Sequence, residues 1–179
     1  ADTSAQPLLQ LQAQAEQAAQ ILGARDVVFF GLPDNRFDTV PLLDVVKRVE
    51  GLLERVQPEM VFTQHGGDLN IDHQRLYRAT LTATRPLPGQ RVKTVYAYEV
   101  ASSSEWAFQQ FSPLFAPDTF FDIGATLDAK LRALAQYVTE IRPFPHPRSP
   151  EALRAIAQRW GSLAGMVAAE AFQTVRALR

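Results

Sequence analysis

The alternation of amphipathic helical segments with short apolar runs is the feature that most limits how this chain can fold. Val45, Val46 and Val49 recur at helical spacing, whereas 26–30 is a short apolar run closed by Gly31. Helices are predicted at 5–22, 41–55, 73–84, 126–138 and 150–179, and the last is also compatible with a break near Gly161. Strands are predicted at 26–30, 60–63 and 93–100, and a further short strand is compatible with 119–123. Such alternation favours an α/β layer fold with a mainly parallel sheet.

Length and charge narrow the classes of protein. The 179 residues suit a single domain spanning 1–179. The net charge is −1 and the 18 Lys and Arg are scattered, which argues against nucleic acid as a partner. No apolar run reaches the roughly 18 residues of a membrane helix, so no membrane partner is expected. Cysteine is absent, which fits a reducing, cytoplasmic compartment and leaves only His, Asp and Glu as metal ligands.

Polar loops follow three of the predicted strands, at 31–38, 64–73 and 101–106. Open parallel sheets bind ligands at the carboxyl ends of their strands. If these strands are parallel, the three loops meet at one edge of the sheet. We therefore expect the functional site at that edge.

The loop 64–73 concentrates groups that could carry chemistry. Two of the three His residues, His65 and His73, lie in it beside Asp68, Asn70 and Asp72. Zinc hydrolases hold the metal with about three such side chains and use its bound water as a nucleophile at neutral pH. The spacing alone also fits a second interpretation, in which Asp68 and Asn70 form turns and Asp72 caps the following helix.

Several motifs extend over nearly the whole chain and together resemble one family. The segment 67–73, Gly-Asp-Leu-Asn-Ile-Asp-His, is similar to the second signature of the PIG-L-like (LmbE-like) zinc-dependent N-deacetylases. Similar segments, in the same order as in that family, are 29–38, 98–100 with 103–106, 144–149 and 169–172. The resemblance implies a Rossmann-like three-layer α/β fold with a mainly parallel sheet.

The resemblance also implies an activity and a metal. The expected reaction is zinc-dependent hydrolysis of an N-acetyl amide on an amino-sugar-type small molecule, such as a derivative of N-acetylglucosamine. His73 is the expected zinc ligand. Asp72 is expected to orient His73 or to cap the helix. Asn70 stands where some relatives carry a His that assists catalysis, and this difference weakens that role.

The remaining candidate residues are expected to bind substrate. Asp34, Asn35 and Arg36 would contact a sugar-like molecule, with a plain turn as the alternative. His65 and Asp68 would line the pocket, and Glu105 and Trp106 would shape its rim, although Trp106 could equally serve packing. His146 would close the pocket from the C-terminal side, unless it is an exposed linker residue.

The family's first signature, His-Pro-Asp-Asp, is absent from these 179 residues. In the family it supplies two further zinc ligands and the general base, so we expect further N-terminal sequence with the first strands of the sheet. The chain alone would then have doubtful activity. The alternatives are a non-catalytic α/β module that binds a small ligand, or an inactive fragment. The sequence is compatible with a homo-oligomer and does not specify one.

Overall fold

The computed structural model describes residues 5–179, which contain α-helices, two short 3-10 helices and a four-stranded sheet. The helices are α1 (Ala5–Leu22), α2 (Leu42–Val56), α3 (Ile71–Ala83), α4 (Leu127–Leu134) and α5 (Pro150–Ala164). The strands are β1 (Met60–Gln64), β2 (Thr94–Tyr98), β3 (Thr119–Asp122) and β4 (Ala169–Ala177). Two short 3-10 helices cover Phe37–Thr39 and Glu105–Ala107. The α/β class predicted from the sequence is confirmed.

The sheet has the order β1-β2-β4-β3 and is mixed rather than mainly parallel. β1 and β2 are parallel, joined by the crossover helix α3. β4 is antiparallel to β2, pairing Tyr98 with Phe172. The prediction of a mainly parallel sheet is therefore inexact, because the segment that turns back after α5 is a strand.

That strand lies where the sequence predicts the end of a long helix over 150–179. α5 ends at Gly165, whose φ of 72° is left-handed and suits glycine. A Cβ on Gly161 would lie 2.7 Å from the Ala168 Cα, so glycine there allows the chain to return closely past the helix. The prediction of a helix that continues to residue 179 was wrong because α5 ends before Gly165, and the missing side chain of Gly161 lets the chain turn back close to the helix.

The run 26–30 is not a strand, although its composition predicts one. A strand needs a neighbour that pairs with its backbone groups, and within residues 5–179 no strand pairs with this run. Val28 and Phe29 are 40% and 41% exposed. Apolar, β-branched composition therefore does not suffice to form a strand here.

The described chain divides into two compact units, one with residues up to Phe30 and Phe121–Glu170, the other with Gly31–Phe120 and Ala171–Arg179. In the second unit, the buried residues Val45, Val46 and Val49 of α2 pack with Ala79 and Ala83 of α3. Each fully buried valine stabilises the fold by roughly 1.5–3 kcal/mol. This core fixes α3, and with it the loop that precedes α3.

The first unit has its own small core, formed by Leu127, Ala157 and Ala168. α1 and α4 contact each other within the same unit. None of the helices in the described part of the chain is long and apolar enough to cross a membrane.

Candidate functional site

The loop 64–73 lies at the carboxyl end of β1, where it meets the loop that follows β2. The His65 amide donates to the Tyr98 carbonyl at 2.9 Å, which continues the pairing of the two strands. The Leu69 amide donates to the Ser103 carbonyl at 3.1 Å. The carboxyl ends of two parallel strands thus bring together two of the three polar loops that the sequence singles out.

Asp68 is the fully buried carboxylate of this region, with none of its surface exposed. Its Oδ1 accepts a hydrogen bond from the Asn70 amide at 2.8 Å, and its Oδ2 accepts one from the Ser104 hydroxyl at 3.1 Å. Burial, followed by the charge of Asp68, raises the pKa of Tyr98. A buried carboxylate is costly unless it is bonded in this way.

His73 lies beside that carboxylate. Its Nδ1 is 3.2 Å from the Asp68 Oδ1, a charge contact that lacks the alignment of a hydrogen bond. The His73 side chain is 19% exposed. Because Nδ1 faces a carboxylate, the ring favours carrying its proton there, and Nε2 keeps its lone pair.

Asp72 lies in the first turn of α3, and its side chain binds the backbone of the loop 31–40 instead of capping α3. Its Oδ2 accepts from the Asn35 amide at 2.6 Å and its Oδ1 from the Phe37 amide at 2.9 Å. The third polar loop thereby joins the other two. Asn35 has a φ of 53°, a left-handed conformation that Asn tolerates better than most residues.

The helix cap is Asn70 instead of the predicted Asp72. The Asn70 side chain accepts from the Asp72 amide at 2.8 Å, so Asp72 lies one residue too far into α3 to cap it. The side-chain nitrogen of Asn70, Nδ2, also donates to the Asn35 Oδ1 at 3.1 Å. The prediction was wrong because Asn and Asp are both good caps, and the spacing alone does not choose between them.

His65 fastens a further segment onto the loop. It is 2% exposed, and its Nε2 lies 2.8 Å from the Pro113 carbonyl, which makes Nε2 the protonated nitrogen. Its ring meets Phe115 edge-on at 5.3 Å. Burial lowers the pKa of His65, and the bond to Pro113 and the charge of Asp68 oppose that shift. With so little exposed surface, His65 offers a substrate almost nothing to contact.

Two glycines allow these close approaches. A Cβ on Gly67 would lie 2.0 Å from the Pro113 carbonyl oxygen, and one on Gly66 would lie 2.5 Å from the Tyr77 ring. Both contacts exclude any larger side chain without a shift of the neighbour. The Gly66-Gly67 pair is therefore required by packing at this site.

The remaining predicted site residues lie on exposed loops or make short-range hydrogen bonds. Asp34 and Arg36 are exposed on the loop that Asp72 holds. Glu105 accepts from the Ser102 amide at 2.7 Å, and Trp106 is 44% exposed. His146 belongs to the first unit, where its Nδ1 accepts from the Arg148 amide at 3.0 Å.

Two groups in the site, the Ser104 hydroxyl and the Pro113 carbonyl, were not predicted from the sequence. Ser104 donates to Asp68 and accepts from the Val100 amide at 2.8 Å, although only its neighbours Glu105 and Trp106 were singled out. The segment around Pro113 contributes a backbone carbonyl, and no side-chain pattern could have indicated that contact.

His73, the predicted zinc ligand, does not belong to a complete set of metal ligands in the described part of the protein. Among residues 5–179, no three His, Asp or Glu side chains lie close enough together to hold a metal ion. Zinc requires about three protein ligands. His73 can supply one imidazole, and the described residues do not complete a zinc site.

Three solved structures share the fold. The conserved protein TT1542 from Thermus thermophilus has a TM-score of 0.75 and 23% identity, over 95% of this chain and 74% of its own. N,N'-diacetylchitobiose deacetylase from Pyrococcus horikoshii has a TM-score of 0.72 and 19% identity, over 94% of this chain and 64% of its own. The antimicrobial-reagent pseudoaglycone deacetylase Dbv21 has a TM-score of 0.63 and 16% identity, over 96% and 72%. At these identities the likeness shows the fold.

Sequence comparison identifies the family over part of the chain. No curated protein matches the sequence significantly. Residues 6–84 match the PIG-L family, described as GlcNAc-PI de-N-acetylase, and this range contains both the loop 31–40 and the loop 64–73. The resemblance predicted from the motifs is thus confirmed as a match of residues 6–84 to the PIG-L family.

Proposed function

We propose that this protein hydrolyses the N-acetyl amide of an amino-sugar-type small molecule, and that this N-deacetylase activity depends on zinc. The observation that carries the proposal is the contact of His73 with the buried Asp68, inside the segment that matches the PIG-L family. Two structures with the same fold are named as deacetylases.

The His73 imidazole is proposed as one zinc ligand. Asp68 orients the ring through Nδ1, and the remaining nitrogen, Nε2, would bind the metal. Ser104 and the Asn70 amide hold Asp68 in place. Since His73 alone does not make a zinc site among the described residues, the zinc dependence rests on the family resemblance.

The loop 31–40 is proposed as the sugar-binding wall. The Asp72 carboxylate accepts hydrogen bonds from the backbone amides of Asn35 and Phe37. The exposed polar side chains of Asp34 and Arg36 therefore project from a backbone whose position is fixed. Such groups suit the hydroxyls of a sugar. In this proposal Asp72 and Asn70 act by positioning the loop. A direct catalytic role of Asn70 stays a prediction, as do the substrate contacts of His65, Glu105, Trp106 and His146.

Acetate release by the intact protein tests the proposal. N-acetylglucosamine and its glycosides would be supplied to protein as purified, after removal of metal with a chelator, and after zinc is restored. We expect release that falls after chelation and returns with stoichiometric zinc. Protein that binds the sugars and zinc without releasing acetate would instead be the non-catalytic binding module.

Three further expectations stay predictions. They are the cytoplasmic location, which rests on the cysteine-free sequence, and the absence of a nucleic-acid partner and of a membrane partner. The sequence is compatible with a homo-oligomer and does not specify one.

A further inference from the structure

We infer that the segment 106–115 forms an apolar subsite beside the loop 64–73, which binds an uncharged apolar group attached to the sugar of the substrate. The inference rests on the proposed N-deacetylase function and specifies its substrate class. The substrate would be an amino-sugar glycoside with an apolar aglycone, in preference to the free sugar.

The segment is fastened to the loop at both ends. Just before it, Ser103 accepts from the Leu69 amide at 3.1 Å and Ser104 donates to Asp68 at 3.1 Å. Near its end, the Pro113 carbonyl contacts the His65 ring nitrogen at 2.8 Å. Both anchors of the segment therefore lie against the loop that carries His73, and the Phe111 carbonyl is also close to Gly67 of that loop.

The same segment exposes large apolar side chains that the fold could have buried. The exposed fractions are 44% for Trp106, 72% for Phe108, 43% for Phe111 and 50% for Leu114. Phe108 and Gln109 have φ values of 48° and 57°, an uncommon conformation for non-glycine residues. Exposed apolar side chains gathered in one short segment are typical of an interaction site, and unusual backbone conformation is concentrated at such sites.

The charge of the segment decides what kind of ligand suits it. Residues 106–117 contain no charged side chain, and no Lys or Arg occurs between Lys93 and Lys130. A surface for anionic lipid would carry basic residues. The acidic residues that flank the segment, Glu105 and Asp118, would repel such a surface. An uncharged apolar group on a small substrate fits both the composition and the attachment to the loop.

The test compares a phenyl glycoside of N-acetylglucosamine with the free sugar, using the intact protein. Binding is measured by calorimetry, and KM and kcat are measured by acetate release. Burial of a small ring supplies a factor on the order of ten in affinity. We expect Kd and KM to be about tenfold lower for the phenyl glycoside.

The variant Phe108→Ala, Leu114→Ala should bring the two sugars to nearly equal Kd and KM, without changing kcat for the free sugar. Both side chains are at least half exposed, so the fold should tolerate the change. Leu163→Ala in α5, where the side chain is 68% exposed, is the matched control and should keep the tenfold preference.

Three results would overturn the inference. The first is an unchanged preference in the double variant, and the second is no preference in the wild type. The third is cosedimentation with phosphatidylcholine or phosphatidylserine vesicles that the double variant loses, which would assign the segment to a membrane surface. Failure of the proposed function would look different, because the calorimetric preference would persist while neither sugar released acetate.

Discussion

Two loops of this protein each contain histidine and lead into a helix, and in each the loop supplies the side chain that caps that helix. Their other side-chain contacts differ. The loop 64–73 leads into α3, where Asn70 caps the Asp72 amide at 2.8 Å. The loop 143–149 leads into α5, where Ser149 caps the Ala152 amide at 3.0 Å. Local cap chemistry is thus the same in both.

The difference lies in how far their side-chain bonds reach along the chain. In 143–149, His146 accepts a hydrogen bond from the Arg148 amide, and the Arg148 side chain pairs with Glu140, eight residues away. In 64–73, Asp72 reaches Asn35 and Phe37, 37 and 35 residues away, and His65 reaches Pro113, 48 residues away. Bonds of the second kind fix several loops against one another, which a preorganised site requires.

Substitution of Gly67 should break that arrangement most strongly. Gly67→Ala places a Cβ 2.0 Å from the Pro113 carbonyl, so the backbone must move. We expect the free energy of unfolding to fall by about 3 kcal/mol in urea denaturation. The control is Gly51→Ala inside α2, where no atom lies within 4 Å, and it should add roughly 0.5–1 kcal/mol. Equal effects of the two substitutions would refute the close approach.

Removal of the buried charge should have the next largest effect. Asp68→Asn leaves one oxygen to accept from two donors, the Asn70 amide and the Ser104 hydroxyl. We expect a loss of about 2 kcal/mol of unfolding free energy, together with a large loss of acetate release. The exposed Asp38→Asn is the control, with a change below about 0.5 kcal/mol. Wild-type stability in Asp68→Asn would mean that the carboxylate does not organise the loops.

The two caps provide the most direct contrast between the loops. Asn70→Ala and Ser149→Ala should each cost about 1 kcal/mol of unfolding free energy, because each removes one cap. Only Asn70→Ala also removes the contact to Asn35, so only it should raise the KM for the sugar. Steady-state kinetics with both variants checks this. A KM increase of the same size in Ser149→Ala would contradict the distinction.

The pH dependence of stability gives the smallest predicted effect. Burial lowers the pKa of His65, so the folded protein keeps this ring neutral where the unfolded chain, with a pKa near 6.5, takes up a proton. Its contribution is fully present above that pH and is lost as the pH falls. We expect His65→Gln to flatten the decline in unfolding free energy below pH 6.5, by at most about 1.4 kcal/mol per pH unit. An identical slope in both proteins would contradict the shift.

The sequence predicted the elements next to the loop 64–73 better than it predicted the rest of the sheet. Helical spacing and strand composition predicted α2, β1 and α3, because the local pattern and the buried core agree there. The same composition failed at 26–30, since a strand depends on a partner that local pattern does not reveal. The mixed sheet was missed because β4 has to be distinguished from a continuation of α5.

Within the site, the sequence identified residues better than their roles. Asp72 was expected to cap a helix or orient His73, but its carboxylate holds the backbone of a loop 35 to 37 residues away. The carboxylate that lies beside the His73 ring is that of Asp68. Spacing indicates which groups are near one another in the chain, and it does not indicate which distant amide a carboxylate will meet.

The central claim is that the loop 64–73 carries the reactive centre of an N-deacetylase. The most direct measurement is acetate release from an N-acetylglucosamine glycoside by the intact, zinc-supplied protein and by His73→Gln, with Ser149→Ala as the control for a helix-start substitution. We expect kcat/KM to fall by at least about a hundredfold for His73→Gln, because loss of a metal ligand should cost at least as much as the roughly 10–100-fold lost when a residue behind a ligand is changed. Full acetate release by a folded His73→Gln protein would contradict it.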